Sequence, residues 1–375
     1  MVKQFILSVR SKRLICIYLK YYNAVSSERL FYVFRSVLFS VGSRFQHSVK
    51  RRRIRIFHDY LCRQLDDDGM EIKMKCADIK LGYSCNNQCI HCVIQNQKQR
   101  AEAVRGTITR PTEESKQEIL KSFHTGCKAI IVTGGEPTIR SDFTEIVKYI
   151  KSLGMLVSVQ SNGRKFSDKM FVKEAAEFID VCVIALHGST QSIHDRITRV
   201  AGSFYETMEG IRNLRAKKVK IWGKVVLSKL NYTDVLNIVK LFAELEIYDI
   251  NIAFPHACEN ILEHYDEVVP RYDEIREHIE NCIQYSESIK MNLDFETILP
   301  CALSRHYPIN YFSDLKNNLD VELKQIDSAP INWNEIRKTN KKKLRICDAC
   351  NYNDICEGYW LEYILLRGEK EFSIH

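Results

Sequence analysis

Residues 85–92 read "CNNQCIHC", so Cys85, Cys89 and Cys92 are separated by three and two residues. Three thiolates at this spacing suit a soft metal centre. A zinc ion would want a fourth ligand, and His91 sits between two of the cysteines, too near in sequence to close a tetrahedron easily. A [4Fe–4S] cube offers another use for the vacancy: three thiolates hold three irons, and the fourth iron accepts a ligand that is not protein. That ligand could be a substrate or a cofactor, and the open iron could pass it an electron. A second group, Cys347, Cys350 and Cys356, lies in "CDACNYNDICEG". With 14 cysteines in a chain of 375 residues, such clustering points to metal or catalysis rather than disulfides if the compartment is reducing. Cys16, Cys62, Cys76, Cys127, Cys182 and Cys282 stand apart from both groups and most read as small buried hydrophobes; Cys258 reads as structural, with a place as a ligand or at the active site as the alternative.

The elements that must position these residues alternate along the chain. "ADIKLGYS" (77–84) reads as a strand leading into the cysteine loop. A helix follows from "RPTEESKQEILKSFHTG", with Pro111 in its first turn and Thr112, Glu114 and Ser115 supplying cap chemistry. "KAIIVTGGEP", "MLVSVQSNG", "DVCVIALHGS", "KIWGKVVLSK" and "YDINIAFPH" read as five further strands, each but the last followed by an amphipathic helix. Six such units imply a parallel sheet with helices outside, an open or partial barrel. Ligand sites in these folds lie at strand C-termini. The cysteine loop, Gly-Gly-Glu-Pro, the Ser-Asn-Gly turn and the His-Gly turn all fall there. After about residue 260 the alternation is expected to lapse.

This combination resembles the radical S-adenosylmethionine (SAM) superfamily: the three-cysteine loop after the first strand, and Gly-Gly-Glu-Pro after the second. The resemblance covers roughly residues 77–260. It implies an α/β fold, a partial (βα)6 TIM-like barrel, with Cys85, Cys89 and Cys92 on three irons and SAM chelating the fourth. It further implies that His91 lies beside the adenine, and that the backbone of Gly134, Gly135, Glu136 and Pro137 receives the SAM amino group. Glycine suits such close approach because it lacks a Cβ. Ser161 and Asn162 match a turn that contacts SAM, and Arg199 is a candidate partner for its carboxylate. Ala185 and His187 depart from the serine and aspartate frequent in related enzymes, which puts the ribose contacts in question. The implied chemistry is reductive cleavage of SAM to a 5′-deoxyadenosyl radical that abstracts hydrogen from a substrate. An electron donor such as flavodoxin or ferredoxin is implied with it.

The C-terminal cysteines resemble the SPASM and twitch extensions, which hold auxiliary [4Fe–4S] clusters. No cysteine follows Cys356, so a fourth ligand must come from upstream, and Cys301 in "LPCAL" is the natural choice. One auxiliary cluster is expected, with a structural zinc on the same four thiolates as the alternative. The fourth-strand region favours a peptide or protein substrate, as in a maturase. A small-molecule dehydrogenase or modifying enzyme is one alternative, and a non-catalytic iron–sulfur or zinc electron-transfer or scaffold protein is another.

The net charge of +8 is unevenly spread: residues 1–75 hold 16 Lys/Arg against 6 Asp/Glu, a balance of +10, which leaves about −2 for the rest. The expected division is therefore a basic helical N-terminal extension (1–75), a core (76–260) and a small cysteine-rich C-terminal extension (261–375). Residues 1–60 are a candidate for weak contact with an anionic membrane or RNA, against the plainer reading of a solvated basic helix. No apolar run approaches a bilayer-spanning length and no secretory cleavage pattern opens the chain, so the expected compartment is the cytoplasm.

Overall fold

A computed structural model describes residues 64, 65, 71, 72 and 74–374, apart from 258, 263, 317 and 318. Of the expected helical extension (1–75), residues 1–63 lie outside the described residues, as do Cys16, Cys62 and Cys258. Its described end is strand instead of helix, Gln64–Leu65 pairing antiparallel with Glu71–Ile72 and Met74 opening the main sheet. Everything described belongs to one compact unit, Tyr60–His375.

The six expected strands are present: β1 (Met74–Gly82), β2 (Ala129–Gly134), β3 (Leu156–Ser161), β4 (Val181–Ala185), β5 (Lys220–Val226) and β6 (Asp249–Ala253). Each pairs in parallel with the next, in chain order. The helices between them are α1 (Gln95–Arg105), α2 (Thr112–His124), α3 (Phe143–Ser152), α4 (Lys169–Ala175), α5 (Gln191–Thr198), α6 (Ser203–Ala216) and α7 (Val235–Glu244). In α3 the buried residues are Phe143, Ile146, Val147 and Ile150, a helical-period stripe that seats it on the sheet.

Past residue 260 the alternation does not lapse. α8 (Tyr272–Ile289) carries the chain into β7 (Asn292–Glu296), which pairs in parallel with β6. β8 (Leu319–Lys324) then crosses to the other flank and pairs in parallel with β1, and β9 (Ile331–Asn332) closes that edge antiparallel. The nine strands run β9-β8-β1-β2-β3-β4-β5-β6-β7 with the two edges unpaired, an open barrel. The expected core and C-terminal extension thus share one sheet. The chain ends with α9 (Trp333–Asn340), a short antiparallel pair (Lys341–Lys342 with Tyr359–Trp360) and α10 (Leu361–Arg367).

The two faces of the sheet differ in chemistry. Toward the helices stand Ile79, Ile130, Val157, Ile184, Val225, Ile252 and Phe295, all fully buried. The alternate positions carry polar side chains tied to one another. Lys80 bonds Thr133 at 2.8 Å, Lys224 pairs with Glu296 at 2.6 Å, and Asn251 donates to Asp294 at 2.8 Å. A parallel sheet covered on both faces would be apolar on both; here the concave face lines a polar lumen.

The start of α2 differs from expectation. No side chain caps it: Thr112 instead donates to Asp142 at 2.5 Å, and the Ser115 hydroxyl donates back to the Pro111 carbonyl at 3.0 Å. Among the described residues no helix is long and apolar enough to cross a membrane.

Candidate functional site

The cysteine loop leaves β1 at Gly82 and is held on three sides. Toward β2, the Gly135 amide donates to the Gly82 carbonyl and the Glu136 amide to the Ser84 carbonyl, both at 2.8 Å. Toward α5, the amides of Gln88 and Ile90 donate to the carbonyls of Thr198 and Ile197 at 2.9 and 3.0 Å. Toward β3, Arg164 donates to the Asn86 carbonyl and, at 2.9 Å, to the Asn87 side chain.

The two glycines of Gly-Gly-Glu-Pro are required by this seam. A Cβ on Gly134 would lie 2.1 Å from the Gly82 oxygen, and one on Gly135 would lie 2.2 Å from the Ser84 oxygen. Gly134 also adopts φ +133°, a conformation side chains disfavour. The side chain of Glu136 turns inward and is buried. It accepts from the Thr138 amide (3.1 Å), the Thr138 hydroxyl (2.6 Å), the Ser161 hydroxyl (2.9 Å) and the Asn162 amide (2.7 Å). Ser161 is therefore spent on Glu136, with its oxygen also accepting from the Gly163 amide at 2.9 Å. Asn162 stands at the loop itself, donating to Asn86 at 2.7 Å with its side-chain nitrogen 4.0 Å from the Cys85 sulfur. Pro137, the last residue of the motif, begins a single turn in which it and Thr138 are buried.

His91 is buried, and its Nδ1 has no hydrogen-bond partner. It meets His187 edge-on at 4.5 Å, and His187 stacks on His194 at 6.1 Å. Burial pushes the His91 and His194 imidazoles down to about 4, and His187 well below its ordinary range, so all three are neutral. His187 and His194 accept at Nδ1 from the amides of Val226 (3.4 Å) and His187 (3.1 Å) respectively. The histidine that replaces an expected aspartate is thus a packing residue behind the loop.

Cys85, Cys89 and Cys92 open on a cleft of about 1190 Å³, whose lining includes Gly135, Arg196 and Arg199. Arg199 ends α5 in the left-handed conformation, φ 57°, at this wall. Arg196, one helical turn before it, was not among the expected site residues; its spacing from Arg199 was the available signal. Burial pushes Cys85 up to about 11, with the Glu136 carboxylate and the Cys92 thiol adding to it, and Cys89 up to about 12, with the Cys92 and Cys85 thiols adding; burial alone raises Cys92. Thiols in this setting ionise readily only beside added positive charge, which bound iron supplies.

The second cysteine group is assembled from distant segments. Cys301 lies just beyond β7, and Cys347, Cys350 and Cys356 lie between α9 and α10. Cys301 and Cys356 are pushed up to about 11 and about 12, by burial first and then by the other thiols of the group. Three of the four sulfurs accept a backbone hydrogen bond, and the fourth shares one with a side chain. Leu344, Tyr352 and Gly358 give backbone amides to Cys347 (3.2 Å), Cys350 (3.4 Å) and Cys356 (3.3 Å). The Cys301 sulfur lies 3.3 Å from the Tyr359 hydroxyl. Amide donors to sulfur suit a thiolate-held cluster. Among the described residues no three side chains of His, Cys, Asp or Glu are close enough to surround one metal ion.

Comparison with known proteins adds an independent line. Residues 79–242 match the family model of the Radical SAM superfamily. An AdoMet-dependent heme synthase of Oleidesulfovibrio alaskensis is 31% identical over 166 residues, 43% of this chain and 40% of that protein. The mycofactocin maturase MftC of Mycobacterium tuberculosis is 31% identical over 166 residues, 43% of this chain and 39% of that one. The chain thus spans about two fifths of the length of these curated relatives. Among solved structures, Streptococcus suis SuiB bound to S-adenosylmethionine aligns with a TM-score of 0.56 at 12% identity, over 92% of this chain and 86% of that one. Native anSMEcpe with bound AdoMet and Cp18Cys peptide aligns with a TM-score of 0.53 at 13% identity, over 80% of this chain and 92% of that one. At these identities the structural likeness is one of fold.

Proposed function

With a radical SAM domain over residues 79–242 as the premise, we propose that this chain is a radical SAM enzyme acting on a peptide or protein. Cys85, Cys89 and Cys92 would hold a [4Fe–4S] cluster. SAM would occupy the cleft between that cluster, Gly135 and Arg199. When bound, the pair supplies the 5′-deoxyadenosyl radical that takes hydrogen from the substrate. The chain's own part is to orient and enclose. Arg199 offers a fork of donors for a carboxylate, and the backbone at Gly135 offers a surface with no side chain in the way. The observation that carries the reading is the convergence of the three cysteines, Gly135 and Arg199 on one cleft.

A peptide substrate is supported by two features. A cleft of about 1190 Å³ exceeds the roughly 300–1,000 Å³ that holds one drug-sized ligand, leaving room beside SAM. One wall presents the carboxamides of Gln95, Asn96 and Gln99 on α1, which can both donate to and accept from main-chain amides. A small-molecule substrate is the second reading, favoured by the 31% identity to an AdoMet-dependent heme synthase.

The four thiolates of Cys301, Cys347, Cys350 and Cys356 would hold one auxiliary [4Fe–4S] cluster, closed to substrate. Flavodoxin or ferredoxin would supply electrons. The cytoplasm is the proposed location, supported by the grouping of cysteines as metal ligands rather than as disulfide partners. Residues 1–60 would make at most a weak contact with anionic lipid or RNA. Such binding should weaken steeply with salt and vanish on deleting that segment.

The test is to reconstitute the protein anaerobically, reduce it, and measure 5′-deoxyadenosine from SAM. No formation with both clusters intact would return the protein to the electron-transfer or scaffold reading. About eight irons per chain are expected, against about four irons and one zinc if the second site is structural zinc.

A further inference from the structure

We infer that Tyr359 sets the reduction potential of the auxiliary cluster by donating its hydroxyl to the Cys301 sulfur. The inference rests on the reading that the four C-terminal thiolates hold an iron–sulfur cluster. Three of the four sulfurs receive backbone amides, which side-chain substitution cannot remove. Cys301 receives its bond from a side chain instead, at 3.3 Å. A thiolate has no proton to give, so once Cys301 is ionised the donor in this contact is the tyrosine.

The hydroxyl is held at the sulfur by packing. Tyr359 is 1% exposed. Its ring stacks on Phe372 at 4.3 Å and meets Tyr272 edge-on at 4.8 Å. The Cys301 carbonyl is fixed as well, accepting from the Ser373 amide at 2.9 Å.

One-electron reduction adds a negative charge that spreads over the cluster sulfurs. A donor aimed at sulfur stabilises the reduced form more than the oxidised form and raises the potential. Removing that donor lowers it.

The experiment is a redox titration of the fully reconstituted protein, followed by electron paramagnetic resonance, for wild type, Tyr359→Phe and Tyr363→Phe. Tyr359→Phe keeps the ring packing and deletes only the hydroxyl. It should reduce the reduced-to-oxidised ratio of the auxiliary cluster about tenfold at the wild-type midpoint, a shift of about 59 mV to more negative potential for a one-electron couple. Tyr363 is the control, a buried neighbour whose hydroxyl donates to Glu371 at 2.8 Å and not to sulfur. Its phenylalanine variant should leave the potential where it was.

An unchanged potential in Tyr359→Phe would overturn the inference, as would equal shifts in both variants. If Tyr359→Phe cannot hold the second cluster, 3-fluorotyrosine at position 359 gives the opposite arm. A more acidic hydroxyl donates more strongly and should move the potential upward, and no movement would count as refutation. Iron and zinc content separates the two levels of failure. Four irons and one zinc in the wild type would remove the cluster and the inference together, whereas eight irons with an unmoved potential would sink the role of Tyr359 alone.

Discussion

Gly135→Ala tests whether the glycines of Gly-Gly-Glu-Pro serve the strand seam or only a ligand. The added Cβ would sit 2.2 Å from the Ser84 oxygen, 2.7 Å from the Ser84 carbonyl carbon and 2.8 Å from that of Tyr83. All three are backbone atoms, so no rotamer change relieves the contact. The ends of β1 and β2 must part by roughly 1 Å to restore ordinary van der Waals distance. Parting them stretches the Gly135–Gly82 and Glu136–Ser84 bonds, each 2.8 Å long. Two weakened backbone bonds at about 1 kcal/mol each and about 1–3 kcal/mol of overpacking give a loss of roughly 3–5 kcal/mol. That corresponds to a fall in Tm of roughly 5–8 °C for a unit of this size. Because Ser84 adjoins Cys85, iron loading should fall as well. The assay is thermal unfolding of reduced, metal-free protein beside iron content after reconstitution. A metal-free Tm within about 2 °C of wild type, with SAM binding alone impaired, would refute the seam argument.

Arg199→Ala should weaken SAM binding about tenfold, about 1.4 kcal/mol, with metal-free stability little changed because the residue lines the cleft. Calorimetric titration of SAM onto the reconstituted protein checks this, and an unaltered affinity would remove Arg199 from the site. Cys301→Ser should halve the iron to about four per chain while leaving the Cys85, Cys89 and Cys92 signal intact. For His194 the folded pKa lies at about 4, below the ordinary 6.5, so the folded state binds the proton more weakly than the unfolded chain. Its contribution is therefore fully present above pH 6.5 and is lost as pH falls toward 4. His194→Asn keeps an acceptor for the His187 amide and should flatten that part of the metal-free stability profile by up to ~3 kcal/mol. Parallel pH profiles for wild type and variant would contradict it.

Which parts of this fold were legible in the sequence follows from what each residue faces. β2 and β4 could be read because "AIIVTG" and "VCVIA" are nearly continuous apolar runs. β7 was missed because "NLDFE" places Asp294 and Glu296 on the polar lumen, so only two apolar side chains mark it. α1 was missed because "QNQKQRAEAVR" has no apolar stripe, and Ala101 is its sole buried residue. Within the site, spacing named the cysteines but could not give side-chain direction. Gly-Gly-Glu-Pro, Ser161 and His91 occupy the expected strand ends. Glu136 and Ser161 nonetheless point at each other, and His91 at His187. A motif of this kind locates a backbone; which way a side chain turns depends on partners far away in sequence, such as Glu136 for Ser161 or His187 for His91.

That β7 belongs to the main sheet bears on how the two cysteine sites work together. Cys85 follows the C-terminal end of β1, and Cys301 follows that of β7, so both sit at the same rim of one parallel sheet. β1 and β7 are six strand spacings apart in the sheet order, at most about 29 Å at ~4.8 Å per spacing. Curvature of the open barrel shortens the chord between the two strand ends. A separate, loosely tethered extension would carry no such bound, because its distance from Cys85 would vary with the linker. A single hydrogen-bonded sheet makes the separation a fixed property of the fold. Pulsed dipolar spectroscopy between the two reduced clusters should therefore give one narrow distance. A broad distribution would mean that β7 does not hold the second site to the first.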